Sequence, residues 1–267
     1  MKIFRILFFP LVFLLIAGFT GPEKIKLLQT CYGPNEVLEY RLHYGFMNAG
    51  EAVLEVHPKL YMVNNKVCYK ATVTGKSTGA FDLALRIRDT WGSFIDTSVK
   101  VPHKSYRIIE EGKYKLKEQA IYDYQGKVVN VERETKDQKK AEKYEISDHV
   151  QDIVSGYYYL RLIDYDRLKV DDTITIDAFF EDKMYDFSVR YLGKSKVSTK
   201  FGNIQAIKLS PVMPDNELFK GGNSIRMYLS DDKNRIPLKV EAEMFVGAVE
   251  VDLKKYQGLK YPLNFSK

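Results

Sequence analysis

The residues with the types needed for catalysis gather in Asp148-His149-Val150-Gln151-Asp152-Ile153-Val154-Ser155. A histidine, an acid and a serine so close together could in principle activate a hydroxyl for nucleophilic attack. That chemistry needs three side chains to converge, and helical spacing carries Ser155 well round from His149. The stretch therefore reads as a histidine and an acid at a helix start. Asp171-Asp172 and Asp231-Asp232 offer paired carboxylates. Adjacent acids do not flank a glycosidic bond from opposite sides, and both pairs sit where aspartate favours a turn. Calcium at Asp231, Asp232 and Asn234 would lack the glycine and distal glutamate of a helix–loop–helix site. Two cysteines and four scattered histidines show no zinc spacing. The serine-hydrolase, zinc-protease, phosphate-loop and dinucleotide motifs are missing. The expectation is a protein that is not an enzyme, with no metal and no cofactor.

Aromatic content gives a different signal. Nineteen tyrosines accompany a single tryptophan. Such side chains are apolar in body and polar at the tip, and most are expected to pack a β-rich core. The rest can line a cleft. Arg86, Arg88, Trp91, Tyr157, Tyr158 and Arg161 are the candidate ligand-binding residues, because arginine beside aromatics suits a ligand with an acidic head and an apolar body.

The elements that must position these groups follow from periodicity. Val150, Ile153, Val154, Tyr157, Leu160 and Arg161 recur at helical spacing, which predicts a helix over 148–163 capped by Ser147 or Asp148. Gly156 weakens that helix and suggests close approach of another backbone. Tyr157, Tyr158 and Tyr159 point three ways, so the helix needs cover on more than one side. Elsewhere the pattern alternates. Leu38, Tyr40 and Leu42 oppose Glu39 and Arg41; Ile174, Ile176 and Ala178 oppose Thr173, Thr175 and Asp177. The longest strand is predicted over 83–96, where Asp89 breaks the pattern through a bulge or a semi-buried pairing near Arg88. The mixed-charge segment 133–143 reads as a solvated loop. About seven strands fall on each side of the helix. The expected fold is mainly β: a large curved antiparallel sheet or open barrel wrapped around one central helix. The alternative is two β-sandwich-like halves bridged by the helix.

Met1 to Thr20 has the form of a signal peptide, with Lys2 and Arg5 before an apolar run and small residues behind it. An exported chain over 21–267 follows as one domain, with β halves at 34–132 and 173–255. Losing the leader lowers the formal charge from +6 to +4, too sparse for a nucleic-acid binder. The expected location is the periplasm of a Gram-negative bacterium, with peripheral membrane association as an option. In that compartment Cys31 and Cys68 are candidates for a disulfide, worth roughly 3–4 kcal/mol by loop entropy. Alternation places Cys68 on the polar face of its strand, where it could clip the N-terminal arm.

An ordered set of motifs completes the reading. It comprises Gly50-Glu-Ala-Val-Leu-Glu-Val56, Arg86-Ile-Arg-Asp-Thr-Trp91, Ser93-Phe-Ile-Asp96, Pro102 with Tyr106, and Val150-Gln-Asp-Ile-Val-Ser155 with Tyr158-Tyr-Leu-Arg161. Gly202 to Pro211, Leu229 to Pro237 and Gly247-Ala-Val249 follow. The order resembles the exported bacterial domain-of-unknown-function family numbered 3108, over nearly the whole mature length. That resemblance implies no activity. In architecture the chain is also similar to periplasmic carriers of lipoproteins and lipids, where a half-barrel surrounds a helix. The expected role is binding of a lipid, an amphipathic ligand or a lipid-bearing envelope protein in a groove between sheet and helix. An envelope adaptor with a fully packed interior is the alternative, and an envelope hydrolase ranks behind both.

Overall fold

The computed structural model describes residue 27 and residues 30–212, 223–245 and 247–265. The leader at 1–20 lies outside the described residues. Fourteen strands form one antiparallel sheet, in the order β8-β7-β6-β5-β4-β3-β2-β1-β14-β13-β12-β11-β10-β9. The first meander runs through β1 (Val37–Tyr44), β2 (Met47–Val63), β3 (Lys66–Ser77), β4 (Arg88–Asp96), β5 (Pro102–Glu111), β6 (Tyr114–Asp123), β7 (Val128–Thr135) and β8 (Lys139–Glu145). The second comprises β9 (Thr173–Phe180), β10 (Lys183–Thr199), β11 (Gly202–Pro211), β12 (Ile225–Ser230), β13 (Pro237–Glu243) and β14 (Ala248–Gln257). The two meanders are one sheet because β1 pairs with β14, Leu38 opposite Tyr256 and Leu42 opposite Val251. A curved sheet is therefore found, and two sandwich-like halves are not.

Alternating side chains explain the curvature. Leu38, Tyr40, Leu253, Leu238 and Ile204 bury one face of the central strands in a common cluster. The helix α2 (Ile153–Leu160) lies against that concave side, touching β3, β4 and β9. Leu160 joins Ile174, Ile176, Val189 and Leu209, whereas Val154 and Tyr158 join Val56, Ala71 and Ile95. The helix thus bridges the inner walls of both meanders. Tyr158 is buried, and Tyr157 and Tyr159 are half-buried against different clusters, as their divergent directions require.

β8 and β9 are the sheet edges and do not pair with each other. They overlap instead. Phe179 and Met184 pack on Ala120, Tyr122, Val129 and Val131 of β6 and β7, while Ile174 and Ile176 of β9 face the helix cluster. Gln151 adds a short parallel bridge to β9: its amide donates to the Asp177 carbonyl (2.8 Å), and its own carbonyl accepts from the Phe179 amide (2.9 Å). One exposed edge is thereby covered by chain. Arg133 closes the other side of the overlap with two 2.9 Å bonds to Asp182.

Four local expectations are corrected. The helix is shorter than 148–163, because Asp152, rather than Ser147 or Asp148, is its N-cap. The Asp152 carboxylate accepts from the amides of Val154 and Ser155, and Ser155 Oγ accepts in return from the Asp152 amide. This reciprocal box satisfies amides that the helix start leaves free. Gly156 is not demanded by a close backbone: a β-carbon there would sit 3.5 Å from Gln151 Cβ, an ordinary contact. Residues 83–96 are not one strand. A six-residue helix, α1 (Gly79–Ala84), precedes β4, and Gly79 enters it at φ 59°. Segment 133–143 is not a loop but the β7–β8 hairpin, whose outer strand is almost wholly exposed.

Candidate functional site

Two neighbouring places on the concave side collect the residues singled out by type. Behind the helix lies a charged node. Arg161 donates to both Glu36 carboxylate oxygens, at 2.6 and 2.8 Å, and its Nη2 also donates to the Asn234 carbonyl at 2.9 Å. Neither side chain of the ion pair is more than 1% exposed. Tyr32 and Tyr158 cover the guanidinium, with ring centres 5.4 and 5.3 Å from it. Burial works against the charge of Arg161, but the Glu36 carboxylate outweighs it and holds the group well above its ordinary pKa. The node ties β1's approach, the helix and the β12–β13 turn together. Its charge is already met by Glu36 and shut off from solvent, which disfavours Arg161 as the partner of a ligand's acidic head.

The second place is an apolar wall. Leu54, Val73 and Trp91 are register neighbours across β2, β3 and β4, and all three are half-buried. They lie on the helix side of the sheet, since Val73 and Trp91 pack on the cluster holding Val154 and Tyr158. Tyr157, also half-buried, faces them from the helix. Phe180 adds a ring 5.9 Å from Trp91. Above both rings stands Arg107, its guanidinium 5.3 Å from the Trp91 centre and 5.2 Å from Phe180. Arg107 pairs with Glu118 (2.8 Å) and Glu181 (3.4 Å), and Arg133 joins Glu118 and Asp182. The wall therefore runs from a charged rim, where Arg107 is buried and Glu181 is exposed, to the helix.

Of the six predicted ligand residues, Trp91 and Tyr157 come together at this wall. Tyr158 and Arg161 lie beneath it, in the node. Arg86 and Arg88 do not reach it. Arg88 turns away and pairs with Asp82 of α1 at 2.7 Å, and Arg86 is exposed at the strand entrance. Asp89 faces inward without a bulge: its register with Gly75 is regular, and it accepts from the Glu110 amide at 3.0 Å. Burial raises its pKa to about 6. Arg107 and Phe180 were not singled out from sequence. Arg107 is hidden in an ordinary polar alternation, and Phe180 adjoins Phe179, which faces the opposite way.

The remaining chemical candidates resolve as structure. His149 is exposed ahead of the helix, and Ser155 is held in the capping box. Asp232 binds its own turn, accepting from the amides of Asn234 and Arg235. Among the described residues no group of His, Cys, Asp or Glu could hold a metal ion. The expected Cys31–Cys68 disulfide is not formed; both are free, buried thiols. Tyr69, Ala71 and Val73 face the cluster that contains Cys31, so strand alternation sends Cys68 to the opposite face of the sheet. The arm carrying Cys31 runs inside the curve, and the strand stands between the two sulfurs.

The fold has counterparts among solved structures. A beta-barrel-like protein of domain of unknown function DUF1849 from Brucella abortus superposes with a TM-score of 0.55 at 12% identity, covering 87% of this chain and 98% of the other. A candidate exported protein with YmcC-like fold from Bacteroides fragilis gives 0.38 at 8% identity (87% and 100% covered). A candidate lipoprotein from Parabacteroides distasonis gives 0.37 at 7% (86% and 99%). The first of these likenesses shows a shared fold and nothing about activity. No curated protein matches the chain. The model of the protein of unknown function family DUF3108 matches residues 39–254, and the chain belongs to that family.

Proposed function

We propose that this protein is an exported, non-catalytic envelope protein that holds a lipid-like or amphipathic molecule against the inner wall of its sheet. The observation that carries this reading is the half-buried row Leu54–Val73–Trp91, faced by Tyr157 and Phe180. Elsewhere on the concave side apolar residues pack to near-complete burial, as Leu38, Val56 and Ile95 do. Apolar surface left open on one concave wall is where a ligand's hydrocarbon gains most by leaving water. The polar end of the ligand belongs at the rim near Arg107 and Arg133, not at the buried Arg161. Those rim cations already have carboxylate partners, which favours a zwitterionic or neutral head over a strongly acidic one.

Trp91 is the only tryptophan, so its emission reports on the wall alone. Titration with a lysophospholipid below its micelle concentration should shift that emission to the blue and saturate. Native mass spectrometry of protein purified from its own envelope should show a lipid-sized adduct. Unchanged emission together with a bare mass would overturn the reading in favour of a packed adaptor.

A further inference from the structure

One end of the sheet carries apolar side chains that are largely exposed. Phe46 in the β1–β2 turn is 96% exposed, Leu83 of α1 is 91% exposed, and Phe245 in the β13–β14 turn is 59% exposed. These residues come from distant parts of the chain, yet their turns are neighbours. The Gly45 amide donates to the Ala248 carbonyl, and a β-carbon on Gly247 would lie 2.8 Å from the Tyr44 ring. Tyr44 in turn meets Phe81 of α1 edge-on at 6.1 Å. The Thr78 amide donates to the Ala49 carbonyl at 3.0 Å and fastens α1 beside the start of β2. Gly45, at φ 58°, closes a two-residue turn that leaves Phe46 at its tip. Two turns and a short helix thus hold a phenylalanine, a phenylalanine and a leucine at one end.

The charges at this end fit an anionic surface. Arg86 and Lys113 are exposed and make no carboxylate pair among the described residues, and their turns are joined by the Gly112 amide donating to the Arg86 carbonyl. Several acids nearby are already paired. Asp82 pairs with Arg88, Glu51 with Lys76 and Lys254, and Glu243 with Arg226. Exposed aromatic and aliphatic tips with unpaired cations are what a protein needs to sit in the headgroup layer of an anionic bilayer, its apolar groups dipping in and its cations at the phosphates. Among the described residues no helix is long and apolar enough to cross a membrane.

We infer that the end formed by Phe46, Leu83 and Phe245, with Arg86 and Lys113, docks on the surface of an anionic phospholipid bilayer. This inference stands whether or not the Trp91 wall takes a ligand. The test is flotation of the protein, in the form that accumulates in its host, with vesicles of phosphatidylethanolamine and phosphatidylglycerol. Wild-type protein should float with them. The double variant F46S/L83S should bind at least about tenfold more weakly, and R86Q/K113Q should lose the salt-sensitive part of binding. The substituted side chains are exposed, so unfolding midpoints should stay near wild type. A second readout covers a variant that folds poorly. Phe46→Cys carrying an environment-sensitive dye should shift to the blue on vesicles, whereas the same dye at Lys233→Cys, in the turn at the opposite end, should not. Flotation equal in wild type and F46S/L83S, absence of flotation, or equal shifts at both positions would overturn the proposal. So would a dimer that F46S/L83S dissolves, since a second copy would then cover the patch. A negative Trp91 titration would leave the vesicle result untouched.

Discussion

Arg161 and Glu36, 125 residues apart in sequence, form a bidentate ion pair from which solvent is shut out. Two charges removed from water stay charged only because each compensates the other and Asn234 satisfies a further donor. Breaking the pair from one side leaves a lone buried charge. Glu36→Ala or Arg161→Ala should each cost about 3–5 kcal/mol in urea unfolding. A double variant with apolar residues of similar volume, Glu36→Leu with Arg161→Met, should lose much less than the sum. Additive losses would mean that the two side chains act independently.

Stability should depend on two inward acids. Burial raises Asp152 to about 6, against hydrogen bonds from Ser93 and from the Ser155 and Val154 amides. Burial raises Asp89 to about 6 as well. A carboxyl raised on folding stays protonated in the native state after the unfolded chain has released its proton. Its stabilising contribution is complete below the unfolded value of about 4 and is lost as pH rises through about 6. Asp152→Asn keeps a good N-cap but cannot titrate. Between pH 7 and pH 4, wild type should gain about 1–3 kcal/mol relative to this variant in paired denaturation curves. Asp89→Asn should act in the same direction.

The two thiols should be inert and countable. Burial raises the pKa of Cys31, and raises that of Cys68 to about 11, so neither offers much thiolate at neutral pH. A thiol reagent should find almost none in the native protein and two in denaturant, without any reductant. A count of zero in denaturant would establish a bridge.

Gly156 weakens α2 without a packing reason for being there. Gly156→Ala should raise stability by about 0.5–1 kcal/mol, because the added methyl meets only Gln151 Cβ at 3.5 Å. A loss measured by thermal or urea unfolding would point to motion at this position that the folded contacts do not display.

What was legible in the sequence followed from one-sided burial. Leu38, Tyr40 and Leu42, or Ile174 and Ile176, alternate because one face of their strand is dry. The curved sheet around a helix follows from those strands and the single helical period. Lys139 to Glu145 escaped because an edge strand exposed on both faces has no apolar alternation to read. α1 escaped because six residues are too few to establish a helical period, and Phe81 with Leu83 mimics a strand. At the site, aromatic type singled out Trp91 and Tyr157, which the fold brings into one cluster. It could not reveal that Arg161 is consumed by Glu36, a partner supplied from the far side of the fold. Nor could it place Arg88, whose carboxylate lies on a helix that the pattern hid.

The pairing of the first strand with the last has a consequence for how the chain acquires its structure. Every other pair of neighbours in the sheet is consecutive in the chain, so each meander can zip up strand by strand from contacts close in sequence. The β1–β14 ladder is different, since Val37 meets Gln257 only after the whole second meander has emerged. During synthesis, the inner edge of β1 waits with its peptide groups unpaired. That edge belongs to a partly folded intermediate, and it is where mispairing with another chain would start. A chain cut short before Ala248 would keep that edge permanently, so its fate should be aggregation or proteolysis rather than a smaller folded protein.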